Sequence, residues 1–230
     1  MKRFYKDASV AALDGHYAVQ LDGKPVRTPG GNALVLPTEK LALAIAAEWR
    51  GQGEEIVPTT MPLLRLANTV IDGVAANRDE VIDAILRFGE NDLICYRAHQ
   101  PPELVARQKA GWDPVLDWLA QRHGAKLAVS QGLNHVDQPQ DSMMALRRLL
   151  DGLDEFTLAG LHVIASVTGS LALALTVLDD ALSGPRAFEL SRIDETYQAE
   201  KWGEDAEAAK RSAALAHELD KAAELIGHIR

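Results

Sequence analysis

The chain has 230 residues, of which 47% are hydrophobic and 25% charged, a balance typical of a globular protein that can bury a substantial core. Its formal net charge of −9 disfavours a nucleic-acid or anionic-membrane partner, because either would repel it in the absence of a local basic patch. The single cysteine, Cys95, excludes an internal disulfide and favours a reducing compartment.

The N-terminal region has the alternation expected of half-buried strands. Residues alternate from Phe4 to Val10 and from Tyr17 to Leu21, and Asp22-Gly23 is a pair preferred in tight hairpins. A glycine-rich turn at residues 29–32 then precedes a short apolar run. These features predict a small antiparallel β unit. The first ten residues lack the apolar core of a signal peptide, so we expect a cytoplasmic protein.

The hydrophobic period changes from two to about 3.6 at Thr38. Thr38 can cap a helix in which Leu41, Ile45 and Trp49 share one face. We therefore place a domain boundary near Pro37, with a β domain at 1–37 and a helical domain at 38–230. The predicted fold class is α+β, with the larger, mainly helical domain built around a buried central helix.

A helix beginning at Pro101-Pro102 is the longest of the next predicted elements. Gly111 and Pro114 lie within it, and we expect them to kink or break it. Shorter helices are predicted from Met61-Pro62 and after Asn77.

The segment Phe156 to Leu178 contains no charged residue and is long enough to span a bilayer. Its serines, threonines, glycines and alanines weaken that interpretation, and no cluster of Lys or Arg flanks it. A stripe of small residues along one face suits close helix packing. We predict the buried central helix here, and a membrane-anchored scaffold remains the alternative.

The residue pattern from Leu190 to Gly203 predicts an amphipathic helix. Leu190, Ile193 and Tyr197 recur on one face, and acidic residues occupy much of the rest. The helix is predicted to end at Trp202-Gly203, where the glycine can adopt a left-handed conformation. The acidic face is either a solvated surface or a partner-binding surface, and its pattern does not decide between them.

Motifs of common enzymes are missing from the sequence. It has no GxSxG elbow, no dinucleotide glycine fingerprint, no Walker motif and no HExxH, so we expect no cofactor and no metal. Glu90, Asp92 and Arg97 either bind a ligand or form an ion pair in a solvated loop. A small-molecule-binding enzyme with a pocket between the β unit and the helices, around Tyr96, Arg97 and His135, remains the alternative function.

An ordered series of motifs resembles one protein family along nearly the whole chain. The motifs are KRFYKDASV, HYAVQLDGKPVRTPGGNALVLPT, AIAAEWRGQ, ENDLICYRA, WDPVLDW, HVDQPQ and SRIDETYQAEKWG. They resemble the assembly chaperone of the F-type ATP synthase catalytic head, which attends the alpha subunit in mitochondria and alpha-proteobacteria. The resemblance implies a non-catalytic protein that holds the free alpha subunit by the surface that the beta subunit later covers. Without a transit peptide, the chain resembles the bacterial branch.

The same resemblance implies a set of partner-binding residues. They are Trp49, Asp92, Arg97, Asp194, Glu195, Tyr197, Gln198, Glu200 and Trp202. Within this set, Trp49 and Trp202 are expected to be packing anchors, whereas Glu195 and Glu200 are expected to contact the client directly. The chain departs from the family at residues 183–186, where an acidic pair often precedes the helix, which leaves the role of that pair open here.

Overall fold

The computed structural model describes residues 1–132, 135–203 and 205–230. Four strands near the N-terminus form an antiparallel sheet, namely β1 (Ala8–Leu13), β2 (His16–Leu21), β3 (Lys24–Pro25) and β4 (Val35–Leu36). Strand β2 pairs with each of the other three. Asp22 and Gly23 both have positive φ, as the predicted two-residue hairpin requires.

The first strand begins later than the alternation predicted, at Ala8 rather than Phe4. The carboxylate of Asp22 accepts hydrogen bonds from the backbone N–H groups of Lys6 and Asp7, at 3.1 and 2.9 Å from Oδ1. A side chain therefore satisfies these donors in place of a neighbouring strand. The side chain of Phe4 remains exposed.

The chain divides into two compact units. The first comprises Met1–Arg78, Asp154–Gly160 and Glu224–Arg230, and it contains the sheet with helices α1 (Glu39–Arg50) and α2 (Pro62–Asp72). Its core includes Val19 and Leu36 from the sheet together with Leu41 and Ile45 from α1. Thr38 caps α1 as predicted, with its hydroxyl oxygen 3.2 Å from the Leu41 nitrogen. The division at residue 37 stays a prediction.

The second unit comprises Asp79–Leu153 and Leu161–Ala223. The remaining helices are α3 (Arg78–Glu90), α4 (Pro102–His123), α5 (Gln140–Asp151), α6 (Glu155–Thr168), α7 (Leu171–Leu178), α8 (Gly184–Ser191), α9 (Ile193–Trp202) and α10 (Ala206–Ile229). Two short strands, β5 (Tyr96–Arg97) and β6 (Ser130–Gln131), pair in parallel. Short 3-10 turns occupy Pro58–Thr60, Val74–Ala76 and Leu93–Cys95. The strands followed by a larger helical region confirm the predicted α+β class.

The predicted central segment is largely buried, but it consists of two helices rather than one. Helices α6 and α7 are separated at Gly169, whose φ of 68° is strained for residues that carry a Cβ. Ser170 caps α7, with its Oγ 3.0 Å from the Leu173 nitrogen. In the part of the chain that the structure describes, no helix combines the length and apolar content required for a membrane span.

Helix α4 is continuous from Pro102 to His123, so the expected break at Gly111 or Pro114 is wrong, whereas the expected kink stays a prediction. A β carbon at Gly111 would lie 2.8 Å from Cδ1 of Ile193 and 2.9 Å from Cδ2 of Leu190. The glycine therefore allows α8 and α9 to approach α4 closely. Helix α4 ends at His123 and is capped by Gly124, which has a φ of 68°.

Candidate interaction surface

Helix α9 carries most of the residues implicated by the sequence, and α4 supports its beginning. The indole Nε1 of Trp112 donates to the carbonyl of Leu190, 2.7 Å away. The amide Nε2 of Gln108 donates to Oδ1 of Asp194 at 2.6 Å. Both donors belong to α4, so the entry to α9 is fixed by directional hydrogen bonds as well as by the close approach at Gly111.

A second set of contacts holds the end of α9. We call it the polar clasp, consisting of Glu103 and Arg107 from α4 and Tyr197, Glu200 and Lys201 from α9. Arg107 lies 2.9 Å from Glu103 and 2.8 Å from Glu200, and Lys201 lies 3.0 Å from Glu103. The guanidinium carbon of Arg107 and the Nζ of Lys201 lie 5.3 and 5.2 Å from the centroid of the Tyr197 ring.

Titration of the clasp residues is consistent with these contacts. The hydrogen bond from Lys201, followed by that from Arg107, lowers the pKa of Glu103. Hydrogen bonds to Glu200 and then to Glu103 raise the pKa of Arg107, and the hydrogen bond to Glu103 raises the pKa of Lys201. These contacts thus stabilise the charged forms of Glu103, Arg107 and Lys201. All four charged side chains remain partly exposed, so salt will weaken the clasp.

An open groove of about 630 Å³ lies between α9 and α10, and we call it the α9–α10 groove. From α9 it is lined by Glu195, Thr196, Gln198, Ala199 and Trp202. From α10 it is lined by Ala208, Ala209, Arg211, Ser212 and Leu215. Several of these side chains are small, which leaves room between the two helices. Arg192, Gly203 and Asp205 complete the lining.

The indole of Trp202 lines this groove and is 79% exposed. Its prediction as a packing anchor is wrong. The helix ends immediately after it at Gly203, whose φ is 93° and whose N–H bonds to the carbonyl of Ala199. This termination leaves Trp202 on the last turn of α9. A large aromatic side chain is therefore available to a partner.

Two more of the implicated residues line the groove. Glu195 and Gln198 are exposed there, and Glu195 pairs with Arg192 at 3.0 Å. Asp194 is half-buried, bonded to Gln108, and Glu200 belongs to the clasp. Tyr197 is the buried residue of the helix.

Trp49 lies in the first unit, where its side chain is 8% exposed, and its prediction as a packing anchor is confirmed. Its ring meets that of Tyr5 edge-on, with the centroids 5.4 Å apart. The hydroxyl of Tyr5 also donates to the carbonyl of Trp49 at 2.7 Å. These contacts join α1 to the chain that leads into the sheet.

Asp92 is completely buried in the second unit, so its interpretation as part of a solvated loop is wrong. Its carboxylate accepts hydrogen bonds from the backbone N–H of Ala172 at 2.9 Å and of Ile94 at 3.2 Å. Burial raises its pKa to about 6, although these hydrogen bonds act in the opposite direction. The residue joins the turn Leu93–Cys95 to the start of α7.

Arg97 is only 9% exposed, and its contacts also differ from those of a solvated loop. It pairs with Asp113 at 2.9 Å, donates to the carbonyl of Ile94 at 2.7 Å and lies over the ring of Trp112. The hydroxyl of Tyr96 lies 3.3 Å from Nδ1 of His135. The structure thus brings Tyr96 and His135 together at the surface, whereas Arg97 is engaged inside the second unit.

Sequence reasoning missed Arg107 and Gln108. Their partners on α9 lie 93 and 86 residues further along the chain. The residues of α10 that line the groove were also missed, because small side chains such as Ala208 and Ser212 carry no chemical signal. The acidic face of α9 could have suggested a search for a basic partner on another helix.

Comparisons with known proteins identify several relatives. A family model described as "ATP12 chaperone protein" matches residues 2–120. The mitochondrial protein atp12 of Schizosaccharomyces pombe is 25% identical over 232 residues, which cover 95% of this chain and 77% of the yeast protein.

Solved structures extend the likeness to the whole chain. The crystal structure of Atp12 from Paracoccus denitrificans superposes with a TM-score of 0.97 at 41% identity, and the match covers 100% of this chain and 98% of that one. The Atu1473 protein of Agrobacterium tumefaciens superposes with a TM-score of 0.96 at 42% identity, covering 100% of this chain and 86% of that one.

Proposed function

Because this chain belongs to the ATP12 chaperone family, we propose that it assists assembly of the catalytic head of the F-type ATP synthase. In this proposal it binds the free alpha subunit and covers the surface that the beta subunit later occupies. For a bacterial member, the compartment would be the cytoplasm.

Exposure of Trp202 beside the α9–α10 groove carries the proposal. Large aromatic side chains at the centre of an interface often supply much of its binding energy, and here one projects beside an open groove. Glu195 and Gln198 add polar groups on the same side of α9. The proposed client surface therefore consists of Glu195, Gln198 and Trp202, with Asp194 and Glu200 next to them.

Four residues of the implicated set belong to the interior. Trp49, Asp92, Arg97 and Tyr197 are buried, so we propose that they support the fold of their units. A direct role for them in client binding stays a prediction.

Physical chemistry supplies a reason for such a mask. A free subunit of a ring exposes a large apolar interface, which associates wrongly unless it is covered. If the beta subunit competes for the same surface, its binding displaces the chaperone. The exchange then proceeds without nucleotide hydrolysis.

Co-purification with separately expressed alpha and beta subunits tests the proposal. We expect the chain to co-purify with the alpha subunit, not to bind the beta subunit alone, and to release the alpha subunit when the beta subunit is added. Retention of neither subunit, or of beta alone, would contradict it.

Trp202→Ala tests the surface within the same assay. We expect it to weaken alpha-subunit binding by about tenfold or more, as truncation of an interface hot spot does. Met144→Ala is the matched control, because it also removes an exposed apolar side chain but lies outside the groove. Equal binding by both variants would remove Trp202 from the proposed surface.

A further inference from the structure

Burial of apolar side chains does not by itself explain how helix α9 is kept in position. It has ten residues, and Tyr197 is its buried residue. Helices of this length are marginal in water unless tertiary contacts stabilise them. The position of its last turn, which carries Trp202, must therefore depend on contacts other than a broad apolar face.

The polar clasp provides such contacts at the required place. Both carboxylate oxygens of Glu200 lie close to Nη1 of Arg107, at 2.9 and 2.8 Å. The other terminal nitrogen, Nη2, contacts Glu103 at 2.9 Å. One guanidinium thus joins a carboxylate of its own helix to one of α9, in a planar geometry that lysine cannot reproduce.

The ring of Tyr197 makes the contacts of the polar clasp depend on the rotation of α9 about its axis. The guanidinium of Arg107 lies over its ring, and Lys201 also approaches the ring while paired with Glu103. Rotation of α9 about its axis would separate these groups simultaneously. Tyr197 and Lys201 are five and one residues before Trp202, so the same rotation would change where the indole points.

We propose that Arg107 is a positioning residue for client binding, which it serves by fixing the last turn of α9 through Glu200 and Tyr197. This inference rests on the proposed function. It assigns Glu200 to the internal contact with Arg107 rather than to the client. Trp202 and the groove residues Glu195 and Gln198 then form the contacting surface.

A double-mutant cycle separates this role from direct client contact. Arg107→Gln and Glu200→Gln are made singly and together, and the dissociation constant of the alpha-subunit complex is measured for each. If Glu200 acts through Arg107, each single change weakens binding by about fivefold, and the double variant is no weaker than either, which is the non-additivity expected of coupled residues.

Glu195→Gln is the matched control, since it neutralises another carboxylate of α9 that lines the groove and pairs with Arg192 instead. Its effect should add to that of Arg107→Gln. Full additivity of Glu200→Gln with Arg107→Gln would overturn the proposal, because it would mean that Glu200 contacts the client independently.

Hydrogen exchange of the free chain provides a readout that needs no client. Arg107→Gln should accelerate exchange of amides in residues 197–203 by about fivefold or more while the amides of α7 stay protected, as local opening predicts. Glu200→Gln should do the same, without a further increase in the double variant. Unchanged exchange in α9 would overturn the proposal. If the unaltered chain retains no alpha subunit, the proposed function fails, and exchange alone decides whether Arg107 positions α9.

Discussion

Helices α7 and α9 are similar in length, but different interactions hold them in the second unit. Every residue of α7 is buried, whereas in α9 the buried residue is Tyr197. Burial stabilises strongly but without direction, whereas hydrogen bonds and ion pairs are weaker at the surface and depend on geometry. Helix α7 is thus suited to the core, and α9 is suited to presenting side chains in a defined orientation.

The first turns of α7 and α9 also differ, because side chains cap the N-terminus of α7 but not that of α9. The N-terminus of α7 is satisfied by Ser170 and by the buried carboxylate of Asp92. Arg192, at the N-cap position of α9, makes no side-chain capping hydrogen bond, and the acidic first turn of the helix contains Asp194 and Glu195. Negative charge near a helix N-terminus is favourable there even when it is exposed to solvent.

The largest effect on stability is expected in α7. Leu173→Ala removes a fully buried side chain and should lower the free energy of unfolding by about 2–5 kcal/mol, the range for such truncations. Gln198→Ala in α9 is the control and should change it by less than about 0.5 kcal/mol. Urea denaturation followed by circular dichroism measures both. Similar losses for the two variants would contradict the contrast between the helices.

A pH dependence is expected from Asp92. Because its pKa is about 6 in the folded state and near 3.9 when unfolded, the folded state binds the proton more tightly. Its contribution is therefore largest below pH 4 and declines as the pH rises through 6, by about 3 kcal/mol at 1.36 kcal/mol per pKa unit. Asp92→Asn, which cannot ionise, should remove this component.

The measurement is the difference in unfolding free energy between the unaltered chain and Asp92→Asn at pH 4.5 and pH 7.5. The difference should favour the unaltered chain more at pH 4.5. A difference that is constant with pH would show that Asp92 does not titrate with a raised pKa.

The close approach of α9 to α4 should give an intermediate effect. Gly111→Val places new atoms where Ile193 and Leu190 already lie and should destabilise the chain by about 1–3 kcal/mol through overpacking. Ala110→Val is the control in the same helix, because Ala110 is exposed. If the two valine variants melt at the same temperature, the contact at Gly111 is not tight in solution.

The smallest effect on stability is expected at the end of α9. Trp202→Ala should change the free energy of unfolding by less than about 0.5 kcal/mol, because the side chain is 79% exposed. The urea midpoint of the free chain measures this. A loss above about 1 kcal/mol would mean that the indole packs against the chain in solution and is not held ready for a partner.

Local patterns predicted much of the fold. The hairpin at Asp22-Gly23 and the cap at Thr38 were both identified, because each depends on a few adjacent residues. The break at Gly169 was missed. A glycine within an apolar run fits either a continuous helix or a helix end, and the choice depends on Ser170 and on Asp92, which lies 80 residues from its partner Ala172.

The candidate surface was predicted only in part. The amphipathic pattern located the acidic helix, and the family-like motif identified Glu195, Gln198 and Trp202, which line the groove. The pattern could not show that Trp202 projects outward, because an aromatic residue at a helix end is compatible with either side. It also could not identify Arg107, whose partner Glu200 lies on another helix.

The sequence by itself determined the order and type of most elements, the family and the acidic character of the helix before Gly203. These properties depend on residue type, hydrophobic period and short-range backbone preferences. Only the tertiary structure decided that Asp92 is buried, that Trp202 is exposed and that Arg107 pairs with Glu200 on α9. Burial and side-chain pairing depend on which distant segments of the chain meet. The free energy of contact between such segments cannot be predicted from a short stretch of neighbouring residues.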